Sequence, residues 1–163
     1  MELLVAVFII STALVGIMSL INTVISSASY STARLTAAHL AQEGIEIVKG
    51  IRDLNYEQPA GCVGWDCWWA DFSGTTSYIA QYDDSDLRPL SNVPLKYNAA
   101  TWLYGYDAGI DTPFNYKRVI TITKNPSGLD GNEIRVSVQV TWTERTRQGS
   151  VVAEDRLWRW RSF

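Results

Sequence analysis

The chain has 163 residues, 47% of them apolar and 19% charged, and 14 basic against 17 acidic side chains leave a net charge of -3. That length holds one domain with an appendage, the composition excludes a disordered chain, and the charge gives no basis for neutralising nucleic-acid phosphates. A single histidine, His39, and two cysteines supply neither a Cys/His zinc cage nor a histidine-based triad, so no metal, catalytic residue or enzymatic activity is expected.

The average conceals two unlike halves. No Asp, Glu, Lys or Arg occurs from Leu3 to Ala33, whereas all seven Trp, both Cys and all five Pro lie beyond residue 58. The uncharged run 3–25 reads LLVAVFIISTALVGIMSLINTVI, which as a helix is ~35 Å long and crosses a ~30 Å hydrocarbon core. No basic residue precedes it, so it is not read as a cleaved secretory signal. The helical pattern continues, because Ala33, Ala37, Leu40, Ala41, Gly44, Val48 and Ile51 recur at spacings of three and four. With no proline before residue 59, a single helix to about residue 53 is allowed, with Gly16 and Asn22 as its candidate soft points. The predicted division is therefore 1–25, a transmembrane half, and 26–54, an amphipathic half that must pack on something. Within that second half, Glu46 and Lys49 read as an ordinary surface pair, Glu43 as a contact to neighbouring copies, and His39 carries no assigned function.

Beyond the helix, 55–115 reads as a variable region. Residues 55–77 are rich in turn formers and form a predicted surface loop. Cys62 and Cys67 enclose four residues including Gly64, a spacing a turn can bridge; in an exported domain this predicts a structural disulfide. Trp65, Trp68 and Trp69 in the same loop are candidates for surface recognition. A short strand is predicted over 77–82, and Asp83, Asp84, Asp86 and Asp107 fall in loops where solvation is the default. Together with Asp130 they lack the EF-hand spacing, so no cofactor is expected and calcium is the lesser alternative.

Residues 116–163 carry the clearest β pattern. Strands are predicted over 116–123, 134–143 and 151–160, joined by a turn at 125–128 and another around Gly149. Ile134, Val136, Val138, Val140 and Trp142 alternate with polar residues, so the middle strand has one buried face. The apolar stripe of residues 37–51 is the matching surface. The predicted fold is an α+β lollipop, a long N-terminal helix packed on a C-terminal antiparallel sheet of three or more strands. Arg156, Arg159 and Arg161, interleaved with Trp158 and Trp160, read as the solvent edge of the last strand.

Glu2-Leu3-Leu4-Val5-Ala6 ahead of a charge-free helix resembles the N-terminus of type IV pilins and pseudopilins. Ala41-Gln42-Glu43-Gly44-Ile45-Glu46-Ile47-Val48-Lys49-Gly50-Ile51-Arg52-Asp53 is similar to the late-helix motif of minor-pilin-like proteins. Tyr116-Lys117-Arg118-Val119-Ile120, Val138-Gln139-Val140-Thr141-Trp142 and Glu154-Asp155-Arg156-Leu157-Trp158 resemble sheet strands of the same group; residues 57–113 carry little of the likeness. The resemblance implies a minor pilin or pseudopilin, a structural subunit held in the cytoplasmic membrane as a single-pass protein with its head outside the cytoplasm. It implies later incorporation into an extracellular or periplasmic filament of a type IV pilus or type II secretion-like system. Implied partners are other pilin subunits, the inner-membrane assembly platform, membrane lipid before assembly, and a prepilin peptidase where a leader is restored ahead of Met1. The role implied for Glu2 is assembly, by neutralising the N-terminal amine of an adjacent subunit. The family's basic leader, its Gly-Phe cleavage junction and its mid-helix proline are not among these residues, and peptidase processing and methylation are not read from them. The alternative is a membrane-tethered binding domain in which the Trp-rich loop recognises glycans or peptides.

Overall fold

In the computed structural model, which describes residues 1–57, 75–124 and 133–158, the unbroken apolar start becomes one helix, α1, Glu2–Glu57. Its 56 residues reach ~84 Å at ~1.5 Å per residue. Both Gly16 and Asn22 lie inside the helix without interrupting it. Among the described residues the head contains eight strands: β1 Thr75–Ile79, β2 Arg88–Pro89, β3 Lys96–Asn98, β4 Leu103–Gly105, β5 Ile110–Asp111, β6 Lys117–Lys124, β7 Glu133–Glu144 and β8 Arg147–Trp158. Five form one antiparallel sheet in the order β2-β1-β6-β7-β8, and three form a smaller antiparallel sheet in the order β4-β3-β5. The architecture is an α+β lollipop with its stick and head on one continuous helix.

The second half of α1 lies across β6, β7 and β8. All seven residues of the helical stripe from Ala33 to Ile51, Gly44 included, are buried, as are Ile134, Val136, Val138, Val140 and Trp142 on the facing strand. Small residues on the helix let the backbone approach the sheet closely. A Cβ placed on Gly44 would meet Val138 Cγ1 at 2.8 Å and Arg118 Cδ at 3.1 Å, closer than a methyl group tolerates.

Three expectations about the head change. The strand predicted over 77–82 begins earlier, as β1, and the region 75–115 contributes five short strands rather than loops. Most have two or three residues, too few to display a period. The turn expected around Gly149 lies instead at Arg145 and Thr146, since Glu144 pairs with Arg147 and Gly149 pairs with Trp142. Gly149 is a strand residue whose missing side chain admits the Trp142 ring: a Cβ there would overlap Cζ2 and Cε2 of the indole. An aromatic side chain covering a strand glycine across the ladder restores the lost packing. The turn predicted at 125–128 and the C-terminal Arg159, Trp160 and Arg161 lie outside the described residues, and Arg156 is exposed on β8.

Candidate functional site

Every residue from Met1 to Ala28 is exposed, including Leu3, Phe8, Ile17 and Ile25. The helix is long and apolar enough to cross a membrane, and the most apolar part of it is left unburied by the described residues of the head. Three of its polar side chains are turned back onto the backbone: Ser11 Oγ donates to Val7 O at 2.7 Å, Thr12 Oγ1 to Phe8 O at 3.0 Å and Thr23 Oγ1 to Ser19 O at 3.0 Å. Hydroxyls satisfied in this way need no water, which suits a hydrocarbon surrounding. Glu2, the predicted assembly residue, lies in the first turn of α1 and is exposed, where its carboxylate faces the positive end of the helix dipole.

At the upper half of the rod, a buried guanidinium ties helix to sheet. Arg118 is fully buried; its Nη1 donates to Leu40 O and to Glu43 Oε1, both at 3.1 Å, and its Nη2 donates to Ala80 O at 2.6 Å. Glu43, expected to face neighbouring copies, is thus engaged within its own chain. The surface pair of Glu46 with Lys49 forms at 3.0 Å, and Lys49 also reaches Asp155 of β8 at 2.9 Å. Hydrogen bonding from Lys49 holds the Asp155 carboxyl below the usual carboxylate range, and Asp155 with Glu46 raises the Lys49 ammonium above its ordinary value. Arg118 carried a sequence signal that the strand pattern contains: it shares the parity of Ile120 and Ile122, the inward phase of β6.

The acidic loop residues are not simply solvated. Arg88 donates to Asp84 Oδ1 and to both carboxylate oxygens of Asp107, the latter at 2.9 Å. Gln81 Nε2 bridges Asp83 and Asp107 at 2.7 Å each, while its Oε1 accepts the Tyr106 amide at 2.7 Å. A cation of the chain itself therefore stands among these carboxylates, and hydrogen bonding from Arg88 depresses the Asp107 carboxyl. Asp86 caps its neighbour, accepting from Leu87 N at 2.7 Å. Among the described residues no three His, Cys, Asp or Glu side chains converge as metal ligands.

A cleft of about 240 Å³ opens between the small sheet and the helix at Thr32 and Thr36, walled by Tyr97, Tyr104, Phe114 and Tyr116. Tyr104 meets Tyr116 edge-on at 6.1 Å, and burial pushes the Tyr116 hydroxyl up to about 12. Lower down, where the helix leaves the head, the β7–β8 turn stands beside Asn22, Ile25, Ser26 and Ser29. Its Arg145 and Arg147 escaped the sequence reading because the turn was placed at Gly149. The signal was the run Glu144-Arg145-Thr146-Arg147, which interrupts two alternating segments.

His39 is exposed on the helix. The predicted disulfide of Cys62 with Cys67 and the recognition residues Trp65, Trp68 and Trp69 lie outside the described residues, as does Asp130. No protein-family model, curated protein or solved structure matches the chain.

Proposed function

We propose that this chain is a structural subunit of a helical surface or secretion filament, a minor pilin or pseudopilin of a type IV pilus or type II secretion-like assembly, and that its N-terminal helix carries it from membrane to filament. The carrying observation is the abrupt change along α1: exposed and largely apolar through Ala28, then one face buried against its own sheet from Ala33. Each large apolar side chain left in water costs roughly 1.5 to 3 kcal/mol relative to burial. The rod therefore needs a non-aqueous partner along its whole lower half. Lipid supplies it first, and the helices of other subunits supply it later without any refolding of the head.

In this reading the chain begins as a single-pass protein of the cytoplasmic membrane with its head outside the cytoplasm, then enters an extracellular or periplasmic filament through the assembly platform. Glu2 selects the alignment of the incoming helix, because a carboxylate withdrawn into an apolar filament core demands a cationic partner. The N-terminal amine of the adjacent subunit has that chemistry. The head contributes rigidity: the Arg118 clamp and the close helix–sheet contact at Gly44 keep the rod fixed relative to the surface it displays.

The test is to express the gene with its natural upstream region, its partner subunits and their peptidase, shear the cells, and analyse the filaments by mass spectrometry. The polypeptide is expected in the filament fraction with a methylated N-terminal phenylalanine, and Glu2→Gln should lower its incorporation. Absence from filaments that its partners still form would refute the proposal and leave an anchored extracytoplasmic binding domain.

A further inference from the structure

We infer that the β7–β8 turn is a lipid-headgroup clasp, in which Arg145 and Arg147 bind the phosphates of anionic phospholipid on the head side of the bilayer. The inference rests on the membrane-anchored stage of the proposed function and adds to it a specific contact. A hydrocarbon core of ~30 Å is spanned by ~20 helical residues. Beginning at Leu3, that span ends near Asn22. The turn stands at this level: Arg145 and Glu144 line a groove of about 400 Å³ with Asn22, Ile25, Ser26 and Ser29, and Arg147 lines a second of about 480 Å³ with Ser19, Asn22, Thr23 and Ser26. Two guanidinium-bearing residues thus flank the helix where hydrocarbon gives way to phosphate.

Both arginines are exposed, and no ion pair among the described residues uses either of them. Three other arginines of the head are committed, Arg88 to Asp84 and Asp107, Arg118 to Glu43, and Arg156 to Glu133, while Arg135, within β7, is half-buried and offers no such exposed site. The Arg147 guanidinium is held in place, stacked 3.6 Å over the Tyr30 ring, which in turn lies 5.8 Å from Trp142. Stacking leaves the in-plane N–H donors free for the bidentate geometry that suits phosphate. Arg145 occupies left-handed backbone at φ 55°, a conformation costly for a residue with a side chain, and such strain concentrates where a turn presents a functional group. The hydroxyls of Ser19, Ser26 and Ser29 along the same stretch of helix supply further donors at headgroup depth. Glu144 borders the same groove as Arg145, and its carboxylate opposes a phosphate on its own side.

The test uses the full chain reconstituted in phosphatidylcholine bilayers containing spin-labelled phosphatidylglycerol or spin-labelled phosphatidylcholine, and reads the motionally restricted lipid fraction by electron paramagnetic resonance. An arginine near a charged surface contributes about fivefold in lipid association, so the pair is expected to favour phosphatidylglycerol by roughly 5- to 30-fold at low salt. Arg145→Asn with Arg147→Gln should bring the ratio close to one; asparagine tolerates the left-handed backbone, and an unchanged circular dichroism spectrum verifies the fold. Arg52→Gln, roughly 40 Å farther along the helix, should leave the preference intact. Equal restriction of the two lipids by the unaltered chain overturns the clasp, as does full selectivity in the double variant. Loss of selectivity on adding millimolar inorganic phosphate at constant ionic strength also overturns it, because the grooves would then hold free anions. Alkaline carbonate separates the two layers of the argument: a chain extracted from the bilayer defeats the membrane reading and the clasp together, whereas a retained chain without lipid preference defeats the clasp alone.

Discussion

Replacing Gly44 with alanine puts two opposed effects at one position. On an isolated helix the change gains about 1 kcal/mol, because glycine has more backbone freedom to lose. Here the new methyl group lies 2.8 Å from Val138 Cγ1, 3.3 Å from its Cγ2 and 3.1 Å from Arg118 Cδ. Ordinary contact needs at least ~3.4 Å, so Val138 would have to retreat by roughly half an ångström. Val138 is fully buried in the central part of the sheet, and its β-branched side chain has little rotameric latitude. Overpacking of this kind costs about 1 to 3 kcal/mol. Steric cost should outweigh propensity, leaving Gly44→Ala destabilised by up to about 2 kcal/mol. In a Val138→Ala background the closest obstruction is gone and only the flexible Arg118 Cδ at 3.1 Å has to give way, so the same replacement should become neutral or stabilising by up to about 1 kcal/mol. Thermal unfolding of the full chain in detergent micelles, followed by near-ultraviolet circular dichroism, measures both. A stability gain from Gly44→Ala in the unaltered protein, or an equal loss in both backgrounds, would refute close packing as the reason for glycine.

The same assay reaches the buried clamp. Arg118→Ala should cost about 3 to 5 kcal/mol by removing the partner of Ala80 O and Glu43 and opening a cavity, whereas Arg118→Met, which fills most of the volume, should lose distinctly less. Gly149→Val should unfold the lower end of the β7–β8 ladder at reduced temperature, because its side chain must displace the Trp142 ring; Trp142 fluorescence reports the change. The Lys49–Asp155 strut should respond to pH at both extremes. The depressed Asp155 contributes stability above its unfolded value near ~4 and loses it as pH falls through the lower folded value. The raised Lys49 contributes fully below ~10.5 and loses its share as pH rises through the higher folded value. Being partly exposed, the strut is worth no more than about 1 kcal/mol. Asp155→Asn should flatten the acid limb by that amount in melts between pH 2 and 7.

The legible parts of the fold are those long enough to repeat. The stripe from Ala33 to Ile51 covers five turns, and the alternation from Ile134 to Trp142 covers most of β7, so each identifies its own buried face and jointly they identify the interface. Short elements had no such redundancy. β2 and β5 have two residues each and exist only because β1 and β3 offer backbone partners. Charged residues were hardest to place, because the default for Arg and Glu is solvent. Arg118 is buried in spite of its charge, on the strength of strand parity and two waiting carbonyl groups. Arg88 converts apparently independent loop carboxylates into one network that only the chain's folding brings together. Gly149 was misassigned for a related reason: glycine serves both turns and close approaches, and the aromatic ring that distinguishes them lies across the ladder.

These local arrangements bear on the whole molecule through the rigidity of α1. A rod without proline, pinned at Gly44 and Arg118 and braced at Lys49, transmits the orientation of the head to the level at which the apolar segment ends. The head therefore does not hang from a flexible tether. If the helix is upright in the bilayer, the β7–β8 turn must reach the headgroups, and a filament neighbour that takes the place of lipid must accommodate the same two arginines. Under the proposed function, membrane and filament would then compete for one surface. Lengthening the helix by a full turn between Ile25 and Ser29 would raise that surface by ~5.4 Å with its direction nearly preserved, and should weaken the phosphatidylglycerol preference while leaving bilayer insertion unchanged. An insertion of two residues rotates the turn by about 200° around the rod as well; if lipid preference survived both insertions equally, the depth and direction of the arginines would have no bearing on what they bind.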